Sequence, residues 1–152
     1  MRKIDQVFKT KDDRSVEIVE GNFPDKIVNH FISCLDDEAR DKFRHDPESE
    51  NEYQYFALDN MGNRGNRIVA YGAVYPRRES EEACLAIAVD EKWRGYGLGK
   101  LMYKLADQVA INNDKKLFRA ETDADNEPAL RIMKQLGWEL YGPIYIVKRF
   151  FK

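Results

Sequence analysis

The sequence predicts a mixed α/β fold in which a central, mostly antiparallel sheet of six to seven strands packs against about four helices. Two patterns favour it. Short apolar or alternating runs, typical of strands, recur along the chain. Between them lie longer runs with apolar residues at i, i+3, i+4 and i+7, typical of helices with one buried face. A length of 152 residues suits one domain with its own core, expected to span residues 1–152.

The composition excludes several functional classes. Hydrophobic residues make up 43% and charged residues 34%, as in soluble globular proteins, and the net charge of −2 gives no general attraction to nucleic acid or to an anionic membrane. No apolar run reaches the roughly 18 residues of a membrane span, and the first residues lack a signal-peptide core. Cys34 and Cys84 lie far apart, which favours a cytoplasmic protein with free thiols. His30 and His45 lie in a polar helical region, and no metal site is predicted.

The N-terminal third is predicted to hold one strand and two helices. The first dozen residues are polar and predict either a loose arm or an edge strand. Gly21 ends the first clear strand, and Pro24 lies near the start of the first helix, where proline is favoured. The predicted elements are a strand over residues 16–20, a helix over residues 22–35, and a short helix from Asp36 or Asp37 to Phe43.

The rest of the chain is predicted to alternate strands with two further helices. Turn-rich residues 59–66 join the first two of these strands as an antiparallel pair. Gly142 and Pro143 mark a hairpin near the C-terminus. The predicted strands cover residues 53–58, 67–75, 82–89, 117–122, 138–140 and 145–151, and the predicted helices begin at Leu98 and after Asn126.

Residues Arg94 to Gly99 form a glycine-dense turn between a strand and a helix. The apolar run Leu85–Val89 precedes the turn, and an amphipathic helix follows it. A strand that turns through glycines into a helix leaves main-chain N–H groups unpaired at the helix N-terminus, with the positive end of the helix dipole behind them. This arrangement predicts an anion site, most often for phosphate.

The spacing of the glycines excludes two common nucleotide-binding patterns. In a P-loop ending at Gly99-Lys100, Arg94 would replace the first glycine and Leu101 the magnesium-binding hydroxyl. In a dinucleotide fingerprint, the third glycine would fall on Lys100 or Met102, depending on the starting glycine. Three glycines in five residues exceed what a plain turn needs, so a phosphate ligand of another kind is favoured.

The pattern Arg94-x-x-Gly97-x-Gly99 resembles the pyrophosphate loop of the GNAT superfamily of acyl-coenzyme A N-acyltransferases, Gln/Arg-x-x-Gly-x-Gly/Ala. Asn126-x-x-Ala129, followed by Leu136-Gly137-Trp138, is similar to a second segment of that family, with Trp138 in place of the usual Phe. The order of elements agrees over nearly the whole chain. Residues 31–43 look like the corresponding segment of bacterial Pat-type protein-lysine acetyltransferases.

The resemblance implies that acetyl-coenzyme A is the co-substrate, bound without a metal. It implies that the pantetheine arm pairs with Ile87, Ala88 and Val89 like an added strand. Asn126 would contact that arm from the opposite side, although its position equally predicts a helix N-cap. The residues implied to hold the pyrophosphate are Arg94, Gly95, Tyr96, Gly97, Leu98, Gly99 and Lys100.

The proton-transfer groups are less clearly predicted. Many relatives carry a Tyr seven residues after the position of Asn126, but Met133 occupies that place and cannot donate a proton. Pat-type enzymes carry a Glu at the position of Cys84. We therefore predict Glu82, two residues earlier and on the same strand face, as the general base. The alternative is a solvated carboxylate in the acidic run of residues 79–82, and three tyrosines, Tyr75, Tyr141 and Tyr145, could supply a hydroxyl.

The leading hypothesis is an N-acetyltransferase in which a primary amine attacks acetyl-coenzyme A directly in a ternary complex. The acceptor could be a protein lysine, a protein N-terminus or a small amine. The alternative is a non-catalytic acyl-coenzyme A-binding regulatory module, favoured by Met133 and Cys84 at the two proton-transfer positions. A nucleotide-binding domain is disfavoured by the glycine spacing. The sequence leaves the acyl chain length open, as it does the choice between a monomer and a homodimer.

Overall fold

The computed structural model describes residues 2–21, 25–37, 53–60, 66–76, 82–122, 126–141 and 145–150. The strands in these ranges form one sheet of eight, in the order β1-β2-β3-β4-β5-β6-β8-β7. They are β1 (Arg2–Lys9), β2 (Ser15–Glu20), β3 (Tyr53–Asn60), β4 (Asn66–Pro76), β5 (Glu82–Val89), β6 (Leu117–Thr122), β7 (Glu139–Tyr141) and β8 (Tyr145–Phe150). The α-helices are α1 (Asp25–Ser33), α2 (Leu98–Asn112) and α3 (Glu127–Gln135).

The mixed α/β class and the mostly antiparallel sheet are confirmed, whereas the predicted element counts are not. The sheet has eight strands instead of six to seven because residues 2–9, predicted as a loose arm or an edge strand, pair antiparallel with β2 as an edge strand. An edge strand needs only one neighbour, so a polar sequence can form one. Three α-helices lie in the described ranges. The predicted short helix from Asp36 or Asp37 to Phe43 falls mostly in residues 38–52, outside them.

Helices cover both faces of the sheet. The larger core cluster joins the sheet to α2 and α3 and includes Met102, Phe118 and Trp138. Phe118 stacks on Trp138 with ring centroids 5.6 Å apart. The second cluster lies under α1 and includes Phe31 and Tyr71. The two cores pack on opposite faces of the central strands β3 to β5, and β5 leads into the glycine-dense turn.

Tyr55 fastens α2 to the middle of the sheet. It lies opposite Gly72 in the β3–β4 ladder, and a Cβ on that glycine would be 2.2 Å from Cζ of the Tyr55 ring. The ring therefore occupies the space above Gly72. Its hydroxyl donates a hydrogen bond of 2.6 Å to the main-chain carbonyl of Met102 in α2. The absence of a side chain at Gly72 thus allows a sheet residue to position the helix that follows the turn.

Strands β5 and β6 separate towards their carboxyl ends. Strands β1 to β5 are all antiparallel, and β6 then lies parallel to β5. Only Glu82–Leu117 and Ala83–Phe118 are paired between β5 and β6, although β5 continues to Val89. We call the resulting opening, between residues 84–89 of β5 and residues 119–122 of β6, the wedge. It opens towards the glycine-dense turn at the end of β5.

Candidate functional site

Asp90 shapes the exit from β5. Its N–H donates to the carbonyl of Val69 at 2.8 Å, and one carboxylate oxygen accepts from the N–H of Lys92 at 2.9 Å. The second oxygen pairs with Arg67 at 2.9 Å. The Lys92 contact caps a short 3-10 helix, Glu91–Trp93, that leads into the turn. Asp90 thus fixes the start of the turn by three contacts, one through its main-chain N–H and two through its carboxylate.

Two glycines in the turn have backbone conformations that other residues avoid. Gly95 has φ of +81° and Gly97, the N-cap of α2, has φ of +93°. A Cβ on Gly97 would come no closer than 3.8 Å to the protein, at Cε of Lys11. The requirement for glycine there is therefore conformational. Gly99 is helical, and its Cβ would lie 3.4 Å from Ile132 and 3.9 Å from Val89, which are ordinary contacts.

The first turn of α2 offers main-chain donors to the opening. The first helical hydrogen bond runs from the N–H of Leu101 to the carbonyl of Gly97 at 3.1 Å. The N–H groups of Leu98, Gly99 and Lys100 precede it and stand outside the helical ladder. No acidic side chain lies in this first turn. The positive end of the helix dipole therefore faces the opening without a neighbouring carboxylate from its own helix.

The β4–β5 ladder determines which peptide groups face the wedge. Because Asp90 donates to its opposite residue Val69, alternate residues along β5, including Ala88, direct their N–H groups towards β4. The N–H groups of Ile87 and Val89 point the other way, into the wedge. Of the three residues predicted to pair with a pantetheine arm, Ile87 and Val89 therefore direct their N–H groups into the wedge, where the arm would lie. Ala88 contributes only a small, buried side chain on the α1 face.

Arg94 links the end of β5 to the segment after α1. Its Nε donates to the carbonyl of Val89 at 3.1 Å, and its Nη2 forms an ion pair with the carboxylate of Asp36. The guanidinium therefore has two partners within the protein. The predicted addition of its charge to the anion site stays a prediction, whereas its role as a bridge is a feature of the structure.

The turn between β1 and β2 packs on the glycine-dense turn. The N–H of Lys11 donates to the carbonyl of Tyr96 at 3.0 Å. The guanidinium of Arg14 lies over the Trp93 ring, 3.9 Å from its centroid, and 5.1 Å from the centroid of Tyr96. A cation above two aromatic faces stabilises this packing. The N-terminal hairpin is thereby part of the site.

The predicted base Glu82 and the neighbouring Cys84 lie at the closed end of the wedge. Glu82 is half-buried, begins β5 and pairs with Leu117 of β6. Five residues separate it from Ile87, or about 17 Å along a strand. Cys84 lies opposite Tyr75 in the β4–β5 ladder, and both residues belong to the core under α1. Glu82, two residues before Cys84, lies on the same face of the sheet. The main chains of Tyr141 and Tyr145 lie in β7 and β8, and their side chains are outside the description.

Asn126, which precedes α3, and Met133, which lies within it, differ in their surroundings. Asn126 occupies the N-cap position of α3, as predicted, but its side chain makes no capping hydrogen bond. Met133 is buried in the larger core. A core methionine contributes packing and no proton transfer. The position where many relatives carry a tyrosine is therefore structural in this chain.

The residues that the structure describes contain no group of three or more His, Cys, Asp or Glu placed to hold a metal ion. Cys34 Sγ lies 3.8 Å from His30 Nε2 on the exposed end of α1. Within those same ranges, no helix has the length and apolar content needed to cross a bilayer.

Four residues at the site were missed by the sequence interpretation: Lys11, Arg14, Asp36 as the partner of Arg94, and Asp90. Asp90 could have been found, because an Asp two residues before an N–H donor at a strand end is a common capping signal. The other three act across long separations in sequence, such as Lys11 with Tyr96, for which local spacing carries no signal.

Comparison with known proteins agrees with this geometry. The model of the acetyltransferase (GNAT) family matches residues 18–138. The GNAT domain of S. lividans PAT superposes with a TM-score of 0.76 at 13% identity, covering 96% of this chain and 96% of that one. A domain from Methanocaldococcus jannaschii DSM 2661 gives 0.71 at 15% identity, with coverage of 90% and 99%. An N-acetyltransferase from Staphylococcus aureus Mu50 gives 0.68 at 12% identity, with coverage of 89% and 99%.

At these identities the solved structures show a shared fold, and no curated protein matches the sequence. The family model covers β3 to β6, the glycine-dense turn, α2 and α3, which are the elements that form the wedge and the anion site. The resemblance stated from the motifs is therefore confirmed. The chain belongs to the GNAT family of acetyltransferases.

Proposed function

We propose that this protein is an N-acetyltransferase that transfers an acetyl group from acetyl-coenzyme A to a primary amine on a protein or a small molecule. One observation carries the proposal. The main-chain donors of the α2 N-terminus follow closely on the end of β5, where the N–H groups of Ile87 and Val89 point away from β4 into the wedge. Such an opening suits a ligand with a diphosphate at one end and an extended amide-containing arm at the other.

The turn would hold the pyrophosphate of acetyl-coenzyme A. The N–H groups of the first turn of α2 supply hydrogen bonds, and the helix dipole favours the negative charge. Gly95 and Gly97 allow the phosphates to approach the main chain closely, since neither carries a Cβ. The residues that we assign to this part of the site, through their main chains, are Arg94, Gly95, Tyr96, Gly97, Leu98, Gly99 and Lys100.

The wedge would hold the pantetheine arm and the thioester. The arm extends β5 as an added strand, with its amides bonded to the main chain around Ile87 and Val89. Ala88 lies between them, and we assign Asn126 to the opposite side of the arm. An N–H of Ile87 or Val89 directed at the thioester oxygen would stabilise the oxyanion that develops during attack.

The reaction needs a neutral amine and an acid for the departing thiolate. As the amine nitrogen bonds to the carbonyl carbon, it loses a proton through water to the base. The C–S bond then breaks, and the departing thiolate takes up a proton from water. Glu82 is assigned as the base because it is the one carboxylate of β5, at the closed end of the wedge. Its distance of about 17 Å from Ile87 along the strand requires a chain of water molecules. Met133 is excluded as the acid. The two free thiols, Cys34 and Cys84, favour the cytoplasm as the place of action.

Two matched glycine substitutions test cofactor binding. Gly97→Ala and Gly137→Ala both place a Cβ on a left-handed residue, at φ of +93° and +80°, without a clash. Each should destabilise the fold by about 1 kcal/mol. By isothermal titration calorimetry, only Gly97→Ala should weaken acetyl-coenzyme A binding, by at least about tenfold, because only its Cβ blocks the phosphate approach. Equal affinities in two folded variants would overturn the assignment of the turn.

Turnover is tested by thiol release with a panel of small amines, peptides with free N-termini and lysine peptides. Sustained release of coenzyme A with at least one acceptor is the expected result. Glu82→Gln should then lower kcat. Tight binding of acetyl-coenzyme A without release across the panel would contradict the proposed activity and indicate a non-catalytic binding module.

A further inference from the structure

Lys11 places a cation beside the central glycine of the turn. Its Cε lies 3.8 Å from the position that a Cβ on Gly97 would occupy. The side chain is exposed, and it forms no ion pair or hydrogen bond with any residue that the structure describes. An ammonium group on this side chain therefore lies next to the site assigned to the pyrophosphate.

The other charges of the β1–β2 turn compensate each other. Asp12 pairs with Arg14 at 2.7 Å, and Asp13 pairs with Lys9 at 3.9 Å. Both carboxylates are thus matched with cations other than Lys11. Of the three basic residues at this turn, the one nearest Gly97 is the one that has no acidic partner among the described residues.

The main chain of Lys11 is held in place by two sets of contacts. Within the turn, the N–H of Thr10 donates to the carbonyl of Arg14 at 2.8 Å, and the Thr10 hydroxyl accepts from the N–H of Arg14 at 3.2 Å. Towards the site, Lys11 donates its N–H to Tyr96, and Arg14 covers Trp93. Ligand binding therefore needs to order only the Lys11 side chain.

We propose that Lys11 is a phosphate-binding residue for coenzyme A, supplied by the N-terminal hairpin and lying outside the glycine motif. The proposal rests on the proposed function. Coenzyme A carries two kinds of phosphate, the pyrophosphate and the 3′-phosphate of its ribose, and an ammonium recognises both by the same charge-assisted hydrogen bonds. Because Lys11 lies beside Gly97, its ammonium group can contact a phosphate on the side of the turn where the helix N-terminus offers no donor.

The test compares Lys11→Gln with Lys9→Gln, a second exposed lysine on the same hairpin. Affinity for acetyl-coenzyme A is measured by calorimetry at low and high salt. Lys11→Gln should weaken binding by about five- to twentyfold at low salt, and less at high salt, because an ionic contact is lost. Lys11→Arg should retain most of the affinity. Lys9→Gln should change it by less than about twofold, because the Lys9 charge is already paired with Asp13.

Dephospho-coenzyme A, which lacks the 3′-phosphate, identifies the phosphate. If Lys11 binds the 3′-phosphate, Lys11→Gln should have no further effect on this ligand; if it binds the pyrophosphate, the loss should be the same for both ligands. Normal affinity in Lys11→Gln, in a protein whose Gly97→Ala variant loses binding, would overturn the role of Lys11 alone. Failure of the unmodified protein to bind acetyl-coenzyme A would overturn both proposals.

Discussion

The side chain of Arg94 donates a hydrogen bond from Nε to the main-chain carbonyl of Val89, 3.1 Å away. The bond joins the first residue of the glycine motif to the last residue of β5. Because Nη2 of the same guanidinium pairs with Asp36, the loop, the strand end and the segment after α1 meet at one side chain. The positive charge of Arg94 is therefore paired with a carboxylate of the protein itself.

Replacing Arg94 with Gln should therefore affect stability more than cofactor affinity. The hydrogen bond to Val89 and the partly exposed ion pair together should account for about 1–2 kcal/mol of unfolding free energy, measured by urea denaturation. Asp36→Asn removes the ion pair, leaves the hydrogen bond from Arg94 to Val89 in place, and should cost less than about 1 kcal/mol. Acetyl-coenzyme A affinity in Arg94→Gln should fall by less than about threefold. A loss above tenfold in a stable variant would instead place the guanidinium on the pyrophosphate.

A side chain at Gly72 should be strongly destabilising. Its Cβ would lie 2.2 Å from Cζ of Tyr55, which is fully buried and hydrogen-bonded to Met102. Gly72→Ala should lower the unfolding free energy by about 2–4 kcal/mol, because the ring must leave its position. In a Tyr55→Leu background the same substitution should cost much less. Equal costs in both backgrounds, measured as a double-mutant cycle, would contradict the proposed clash.

Stability should fall in alkaline solution because of two buried tyrosines. Burial raises the pKa of Tyr55 well above its usual value, with smaller contributions from Tyr103 and Asp107, and burial also raises the pKa of Tyr103. In the unfolded chain both ionise near pH 10, so above that pH the unfolded state binds fewer protons than the folded state. The contribution of these two tyrosines to the free energy of unfolding is fully present below pH 10. It is lost as the pH rises further, by up to about 1.4 kcal/mol per pH unit for each tyrosine.

Urea unfolding at pH 9, 10 and 11 measures this dependence. Tyr55→Phe and Tyr103→Phe should each make the fall in stability between pH 10 and pH 11 shallower, because each removes one titrating group. The two substitutions together should nearly abolish the part of the alkaline stability loss that comes from tyrosine ionisation. An unchanged slope in the double variant would show that other groups, such as lysines, cause the alkaline loss.

Asp90 should couple fold stability to cofactor binding. Asp90→Ala removes the cap on the 3-10 helix and leaves Arg67 without its carboxylate, which together should cost about 1–3 kcal/mol. It should also weaken acetyl-coenzyme A binding, because the entry into the glycine-dense turn loosens. Asp90→Asn keeps an acceptor for the Lys92 N–H and should have the smaller effect on both. Calorimetry and urea denaturation on both variants decide the point, and unchanged binding in Asp90→Ala would refute the coupling.

The elements that local pattern specifies could be predicted from the sequence. The helix predicted from Leu98 begins at that residue, and the strand leading to the turn spans Glu82–Val89 as expected. Both follow from apolar periodicity and from glycines at the junction, which act over a few residues. The predicted hairpin near Gly142 is likewise observed as β7 paired with β8. These elements were sufficient to locate the candidate site.

The features that complete the site depend on contacts between distant residues. Whether the first dozen residues formed an arm or a strand depended on their pairing with β2. The separation of β5 from β6 depends on where their register ends, which no local pattern records. The partners of Arg94 and the approach of Lys11 to Gly97 arise because the fold brings separate turns together. Such contacts are set by tertiary packing and lie beyond sequence spacing.

Because the β5–β6 pairing ends early, two main-chain amides of β5 lie in the sheet without a partner strand. Their hydrogen–deuterium exchange should therefore be as fast as that of loop amides. The N–H groups of Ile87 and Val89 face the wedge, whereas that of Ala88 between them faces β4. In the ligand-free protein, the amides of Ile87 and Val89 should exchange with deuterium much faster than that of Ala88. A bound acyl-coenzyme A should slow the first two and leave the third unchanged. Three consecutive residues would thus report, amide by amide, when the wedge is filled.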